Sequence, residues 1–393
     1  MMNQPPTAAA STSQPSLFGL TPAHPYPRLA QLRAQGAVVR VPLPATSRRG
    51  AVWLVTRFNE AVQVLKDARF TVDATALDAA AGATGQPRTS GSSDSGFFGG
   101  RSMIDVDGAD HTRLRGLVAK AFTRRYIETL RPGIQRIADT LLDRVQARGA
   151  MDLVGEYGYP LPITVIRDML GVPHDRRDRL LDGSRYIADL VAEKRRHPGD
   201  DLLSQLVRME AAGDHLDEHE LRAMVGLLIF AGHETTANLI SIGFLTLFDH
   251  PDALARLQAD PDLIPGAIDE LLRFNGPVLT PAPRFARDDL EVGGQQIRRG
   301  DLVLVSLGSA NHDEAAFTGP DALDIARALN RHIAFGQGAH FCLGAPLARL
   351  EGDIAFRTLL RRMPALRLNA PREHIQWRGT VNLRGLTALP VAF

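Results

Sequence analysis

Cysteine is almost missing from this sequence: Cys342 is the only one in 393 residues. That excludes an intramolecular disulfide and a zinc site built on several thiolates, and nothing asks for an oxidising compartment. Lysine is nearly absent too, occurring only at Lys66, Lys120 and Lys194 among 45 basic residues set against 44 acidic ones. The arginines are spread along the whole chain, so the bias reads as genome composition. A net charge of +1 gives no reason to expect nucleic acid or an anionic membrane as the main partner. The first twenty residues have no charged n-region and no apolar run suited to a signal peptide, so a cytoplasmic protein without a membrane anchor is expected. Their Pro, Ser, Thr and Ala content predicts a loose tail over residues 1–20, with one domain over 21–393. A Gly- and Ser-rich stretch from Asp78 to Gly100 predicts a linker or a mobile loop over a site. No internal repeat is visible.

What is present is the profile of a soluble globular protein, 44% hydrophobic and 23% charged. The length allows two domains or one large one. From His111 onward most of the chain has helical periodicity. Ile127, Leu130, Ile134, Ile137, Leu141 and Val145 form one apolar stripe at three- and four-residue spacing. Strand signals are few; the clearest is Leu290 to Leu307, two short runs either side of Gly293 and Gly294, which predicts a hairpin. The expectation is a mainly α fold with a minor sheet.

One helix stands apart. Asp217 followed by Glu220 predicts a capping-box start. No proline follows until Pro251, which allows about 30 residues and roughly 45 Å. The segment Met224 to Phe248 is apolar all round, as in a membrane span, but Glu234 sits near its middle, at a cost on the order of 3 kcal/mol in a bilayer. His233, Thr235, Thr236 and Asn238 add polar groups there. A helix buried through the centre of a soluble domain fits better. His-Glu-x-x-His zinc binding is excluded, because Ala237 stands where histidine is needed.

The lone cysteine lies in FGQGAHFCLG, Phe335 to Gly344. By composition it reads as a small buried hydrophobe. Its surroundings point further: a helix with Leu343, Leu347, Leu350 and Ile354 in register begins directly after it, and a helix N-terminus favours a thiolate. Gly336, Gly338 and Gly344 let the backbone fold tightly around the sulfur and approach a large flat group. A catalytic cysteine is possible on this pattern, without an assignable base. A single thiolate also suffices to hold haem iron.

At these residues the chain resembles the cytochrome P-450 family, whose haem-ligand signature Phe-Gly-x-Gly-x-His-x-Cys-x-Gly is matched at every fixed position. AGHETT, Ala231 to Thr236, resembles the family's oxygen-activating stretch, and ELLR, Glu270 to Arg273, its Glu-x-x-Arg motif. Asp107 to Phe122 resembles the helix that reaches the haem propionates. The likeness runs from about His24 to Phe393 and is closest to soluble bacterial members. It implies a large helical domain with a small β-rich region around a buried haem b, ligated axially by Cys342, with Phe335 as a further cofactor contact. It implies Glu234 and Thr235 as the acid–alcohol pair that delivers protons to dioxygen, with Gly232 leaving room for the ligand and the helix ladder opening there. His111, Arg115, Arg284 and His340 are implied as propionate contacts. Glu270, Arg273 and Arg327 are implied as a buried ion-pair group that supports the cysteine loop.

By position, the pocket walls are expected at Phe97, Phe98 and Met103, at Ile229 and Phe230, at Val278, Leu279 and Thr280 toward Pro281, and at Asn382 with Leu383. They are mainly apolar, which favours a hydrophobic substrate. One departure concerns the pocket roof. Only His174 to Arg185 separate two stretches between which the family places two helices. Either the roof is reduced to about one helix, or the full polypeptide carries residues that this sequence lacks; the close fit on both sides favours the latter. The expected activity is a haem-thiolate monooxygenase fed by an external ferredoxin and reductase, since no flavin, nicotinamide or iron–sulfur motif occurs. The surface around Arg113, Lys120, Arg124 and Arg125 is a candidate dock for that acidic partner. Two alternatives share the fold: a peroxide-driven peroxygenase and a non-catalytic haem-based sensor.

Overall fold

The computed structural model describes residues 19–43, 47, 50–73, 75, 77, 101–172, 184–211, 216–380 and 382–393. The expected tail up to residue 18, Phe97, Phe98, the Asp78–Gly100 stretch and residues 174–183 of the shortened roof lie outside them. Leu20, placed in the tail by composition, is 2% exposed and packs with Leu29 and Leu32.

In chain order the helices are α1 (Tyr26–Gln35), α2 (Phe58–Lys66), α3 (Gly108–Ala119), α4 (Arg124–Thr129), α5 (Arg131–Gln146), α6 (Pro160–Leu170), α7 (Ser184–Arg196), α8 (Leu202–Ala211), α9 (Glu218–Phe248), α10 (Pro251–Ala259), α11 (Ile264–Asn275), α12 (Leu307–Ala310) and α13 (Ala345–Arg362). The strands are β1 (Val38–Pro42), β2 (Ala51–Val55), β3 (Phe70–Thr71), β4 (Ala150–Asp152), β5 (Arg284–Ala286), β6 (Leu290–Val292), β7 (Gln295–Ile297), β8 (Leu302–Val305), β9 (Arg367–Leu368), β10 (Trp377–Gly379), β11 (Arg384–Leu386) and β12 (Pro390–Ala392). Helices therefore dominate. The largest sheet has the order β1-β2-β8-β5-β3, and only its β2–β8 pair is parallel.

The capping box forms at the start of α9: the Glu220 N–H donates to Asp217 Oδ1 at 2.8 Å, and the Asp217 N–H donates to Glu220 Oε2 at 3.2 Å. Because α9 is apolar on every side it needs neighbours on every side, and it packs against α6, α11, α13 and the β10–β11 hairpin. It is long and apolar enough to cross a bilayer, but 78% of its most apolar window is buried inside the protein. Gly243 permits this packing, since a Cβ there would lie 2.6 Å from the Phe356 ring of α13, which stacks on Phe244 at 4.4 Å.

Two sequence expectations change in detail. The stripe from Ile127 to Val145 is divided between α4 and α5 at Leu130, because Pro132 has no N–H to continue a helix and starts a new one. The hairpin is β6–β7, turning at Gly293 and Gly294 with φ of +55° and +76°. The run after it leaves as β8 for the large sheet.

Candidate functional site

A cavity of about 270 Å³ is lined by the Phe335–Gly344 loop, by α9 and by the residues just before and within α3. Most of its wall is apolar, and Cys342 lines it together with Thr235, His111 and Arg115.

Local geometry explains the loop. Gly336 and Gly338 adopt φ of +70° and +74°, and a Cβ at Gly338 would lie 2.4 Å from the Leu65 carbonyl at the end of α2. Gly344 differs from the expectation: its φ of −80° is open to any residue, and it serves as N-cap of α13. The Cys342 N–H donates to the Phe335 carbonyl at 2.9 Å, closing the loop on itself. Burial pushes the Cys342 thiol above its ordinary value, although the Gly344 N–H, Arg115, Arg349 and the Ala345 N–H all favour the thiolate. The helix end favours the thiolate, as expected from the sequence, but does not outweigh desolvation by itself.

Cationic and imidazole groups gather along one part of the cavity. His111 is 5% exposed, and its Nε2 has no hydrogen-bond partner among the described residues. Burial, then the charges of His340 and Arg115, push its imidazole down to about 4, so it is neutral at pH 7. The His340 ring lies 4.3 Å from that of His111, centroid to centroid, and its Nε2 is 2.9 Å from Asp107 Oδ1. Burial would raise Asp107, but bonds from His340, Thr71 and the Val72 N–H hold it well below the usual carboxylate range. Arg115 donates to the Phe341 carbonyl at 2.8 Å, which ties α3 to the cysteine loop. Arg284 is buried and donates to the Ala282 carbonyl at 2.9 Å; it is absent from the cavity lining, but its charge acts on His111.

Behind the loop, Glu270 and Arg273 have no exposed side-chain surface and form a two-bond pair at 2.7 Å each. Glu270 also accepts from Arg327 Nε, Asn330 Nδ2 and the Asp324 N–H, each at 3.0 Å. Arg273 donates to the carbonyls of Asn311 and Pro320 at 2.8 and 2.7 Å. Next to this group, Asp269 accepts from Arg349 Nε at 2.8 Å and lies 3.2 Å from His332 Nε2. The Arg349 guanidinium sits 4.5 Å above the Phe335 ring.

On α9, the Thr235 hydroxyl lines the cavity and donates to the Ala231 carbonyl at 2.9 Å. Glu234 is turned away from the lining. Its Oε1 accepts from Arg378 Nη1 at 2.6 Å and from Asn238 Nδ2 at 3.2 Å. The helix is unbroken through Gly232, in contrast to the expected opening. The backbone of Gly232 lines the cavity, but the side chain it lacks would meet Ile166 of α6 at 3.0 Å. A side chain there would press on Ile166, which also lines the cavity, so Gly232 eases the packing of α9 on α6.

Among the expected pocket residues, Met103, Val278 and Pro281 line the cavity. Leu279, Thr280, Asn382, Leu383, Ile229 and Phe230 are not among the lining residues; on α9, Leu227, Leu228 and Ala231 line the cavity, at spacings set by the period of 3.6. The expected basic surface loses Arg113, which is engaged by Glu220 at 2.5 Å, while Lys120, Arg124 and Arg125 are exposed. Residues that sequence reasoning missed include Asp107, Asp269, Arg349, Arg378 and Glu351. Glu351 of α13 is fully buried with neither oxygen in a hydrogen bond of full geometry; burial pushes its carboxyl up to about 8, with Thr236 acting weakly the other way.

The residue set fits a haem. One sulfur faces the cavity, apolar side chains form its walls, and an unpartnered buried imidazole nitrogen with a neighbouring guanidinium suits carboxylate groups. No group of three His, Cys, Asp or Glu suited to a metal ion occurs among the described residues.

The comparisons agree with this chemistry. The family profile described as Cytochrome P450 matches residues 166–267 and 262–366. Cytochrome P450 107B1 of Saccharopolyspora erythraea is 45% identical, over 86% of this chain and 88% of that protein. The polyketide biosynthesis cytochrome P450 PksS of Bacillus subtilis is 39% identical, over 94% and 96%. The crystal structure of the myxobacterial cytochrome P450 CYP267B1 in complex with myristic acid superposes with a TM-score of 0.86 at 37% identity, covering 97% of this chain and 99% of that one.

Proposed function

The chain belongs to the cytochrome P450 family of monooxygenases, and from that premise we propose that it inserts one oxygen atom from dioxygen into a hydrophobic small molecule. The reaction is a hydroxylation or an epoxidation, with electrons from a separate ferredoxin and its reductase. The carrying observation is that the only thiol, Cys342, opens on the same apolar cavity as the Thr235 hydroxyl. PksS is named for polyketide biosynthesis and CYP267B1 was solved with myristic acid, which supports an extended apolar substrate. We assign the protein to the cytoplasm, where a reduced thiol persists.

In this reading Cys342 would hold the iron of haem b, and a thiolate-bound haem would supply reductive activation of dioxygen. Bound iron would also offset the burial that otherwise favours the protonated thiol. The Gly344 and Ala345 N–H groups face the sulfur and moderate its donor strength. Arg115 and the open Nε2 of His111 would bind and orient the propionates, and Asp107 fixes the His340 ring for the same purpose. Leu227, Leu228 and Val278 bind substrate and exclude water. The Thr235 hydroxyl holds a proton at its oxygen next to the reacting centre, and Glu234, the next residue along α9, restores it from outside the cavity.

Carbon monoxide added to the reduced holoprotein should give the long-wavelength Soret band of thiolate ligation, and Cys342→His should lose that band while keeping bound haem. A wild type without the band overturns the assignment. Turnover of myristic acid with surrogate ferredoxin, reductase and NADPH, compared with peroxide alone, tests the electron route. Product only with peroxide would make the protein a peroxygenase, and ligand binding without turnover of any probe would favour a sensor.

A further inference from the structure

We propose that Arg378 is a positioning residue for proton delivery: it holds the Glu234 carboxylate in place, and the β10–β11 hairpin that carries it couples this hold to the cavity wall. The proposal rests on the reading of Glu234 as a proton carrier.

The hold is specific. Arg378 Nη1 donates to Glu234 Oε1 at 2.6 Å, while its Nε donates to the Leu386 carbonyl of the paired strand at 3.1 Å. The guanidinium is therefore fixed at both ends. Asn238, one turn along α9, donates to the same Glu234 oxygen at 3.2 Å and receives Arg378 Nη2 on its own oxygen at 3.4 Å. The hairpin is seated directly on this face of α9: a Cβ at Gly385, the residue paired with Arg378, would lie 2.2 Å from Asn238 Oδ1. Only glycine fits there.

The other end of the hairpin is attached to the cavity wall. Leu383 forms an antiparallel bridge with Val278, which lines the cavity. The Leu279 N–H donates to the Asn382 carbonyl at 3.1 Å, and the Thr280 hydroxyl donates to Asn382 Oδ1 at 2.9 Å. Gly379 turns the chain at φ +101°, where a Cβ would lie 2.2 Å from the Leu383 carbonyl, so the turn has no slack. Two strands of three residues each thus join the wall to the guanidinium. A carboxylate held this way must give up the Arg378 contact to swing between solvent and Thr235. A ligand that displaces Val278 moves the hairpin and loosens that contact, so proton traffic follows occupancy of the cavity.

The test uses the holoenzyme with surrogate ferredoxin, reductase and NADPH, and the variants Arg378→Met, Arg378→Lys, Glu234→Gln and the Arg378→Met/Glu234→Gln double. Without substrate, Arg378→Met should raise NADPH oxidation roughly fivefold or more, Arg378→Lys should stay near the wild type, and the double variant should fall back to the Glu234→Gln rate. Hydrogen exchange of residues 377–386 should also change when myristic acid binds to the wild type. An Arg378→Met rate equal to that of the wild type overturns the proposal. So does an increase that persists in the Glu234→Gln background, since Arg378 would then act without Glu234. Should Arg378→Met fail to load haem, Arg378→Gln enters the same comparison. Absence of the thiolate Soret band in the wild type is a separate result, and it overturns the function proposed above.

Discussion

On the thiol side of the cavity, both oxygens of Glu270 accept at least two hydrogen bonds, and neither Glu270 nor Arg273 exposes any side-chain surface. On the α9 side, Glu234 places one oxygen between Arg378 and Asn238, and the Arg378 side chain is 40% exposed. Both are acid–guanidinium pairs, yet under the proposed function they serve opposite needs. A loop that must present a sulfur at one fixed point is backed by a saturated network, in which any movement would strand a buried charge. A carboxylate that must exchange protons with solvent cannot be saturated in that way. The number of partners an acid has thus separates scaffold from chemistry here better than its mere pairing does.

The comparison is broken most severely by Glu270→Ala. Arg273 would remain as a buried cation without its carboxylate, at a cost of about 3–5 kcal/mol. The urea midpoint and haem retention should both fall sharply. A loss under about 1 kcal/mol, the size of an exposed pair, would mean that the two sides do not differ.

A second measurement sharpens it through pH. The Glu351 carboxyl lies near 4.5 ordinarily and about 8 in the folded protein. A carboxyl raised on folding contributes stability at acid pH, and that contribution is lost as pH rises from about 4.5 toward 8. Glu351→Gln removes the titration. The variant's unfolding free energy relative to wild type should therefore increase between about pH 5 and pH 8, by on the order of 3 kcal/mol. Urea titrations at both pH values check it, and a constant difference would show that Glu351 is already ionised in the fold. A carbonyl stretch of a protonated carboxylic acid, absent from the variant, would give the same answer spectroscopically.

The smallest effect on stability belongs to Thr235→Ala. Its hydroxyl bonds only to its own helix, so the change should stay within about 0.5 kcal/mol. Product formed per NADPH consumed should nevertheless drop, with the difference appearing as peroxide and water. A ratio equal to that of the wild type would remove Thr235 from the proton path.

Features carried by neighbouring residues were legible in the sequence. The α9 capping box, the turn at Gly293 and Gly294, the helix starting after Cys342 and the i, i+3 pair of Glu270 with Arg273 all depend on spacings of four residues or fewer. The partners that were missed are far apart along the chain. Arg378 meets Glu234 across 144 positions and His340 meets Asp107 across 233. No periodicity connects such residues, because a folded helix face and a distant hairpin meet only once the core has formed. Ile229 and Phe230 were misplaced for a different reason: an all-apolar helix gives no polar face from which to read its orientation. The thiol's proton affinity escaped as well, because a helix end is visible in sequence while the depth of burial is not.

Cys342 lines the cavity, and no other cysteine exists anywhere in the chain. A sulfenic acid at that sulfur therefore has no thiol within its own chain to condense with, and further oxidation leads to sulfinic and sulfonic acids that do not revert. Under the proposed function, a molecule that loses its haem therefore carries a sulfur whose oxidation its own chain cannot reverse.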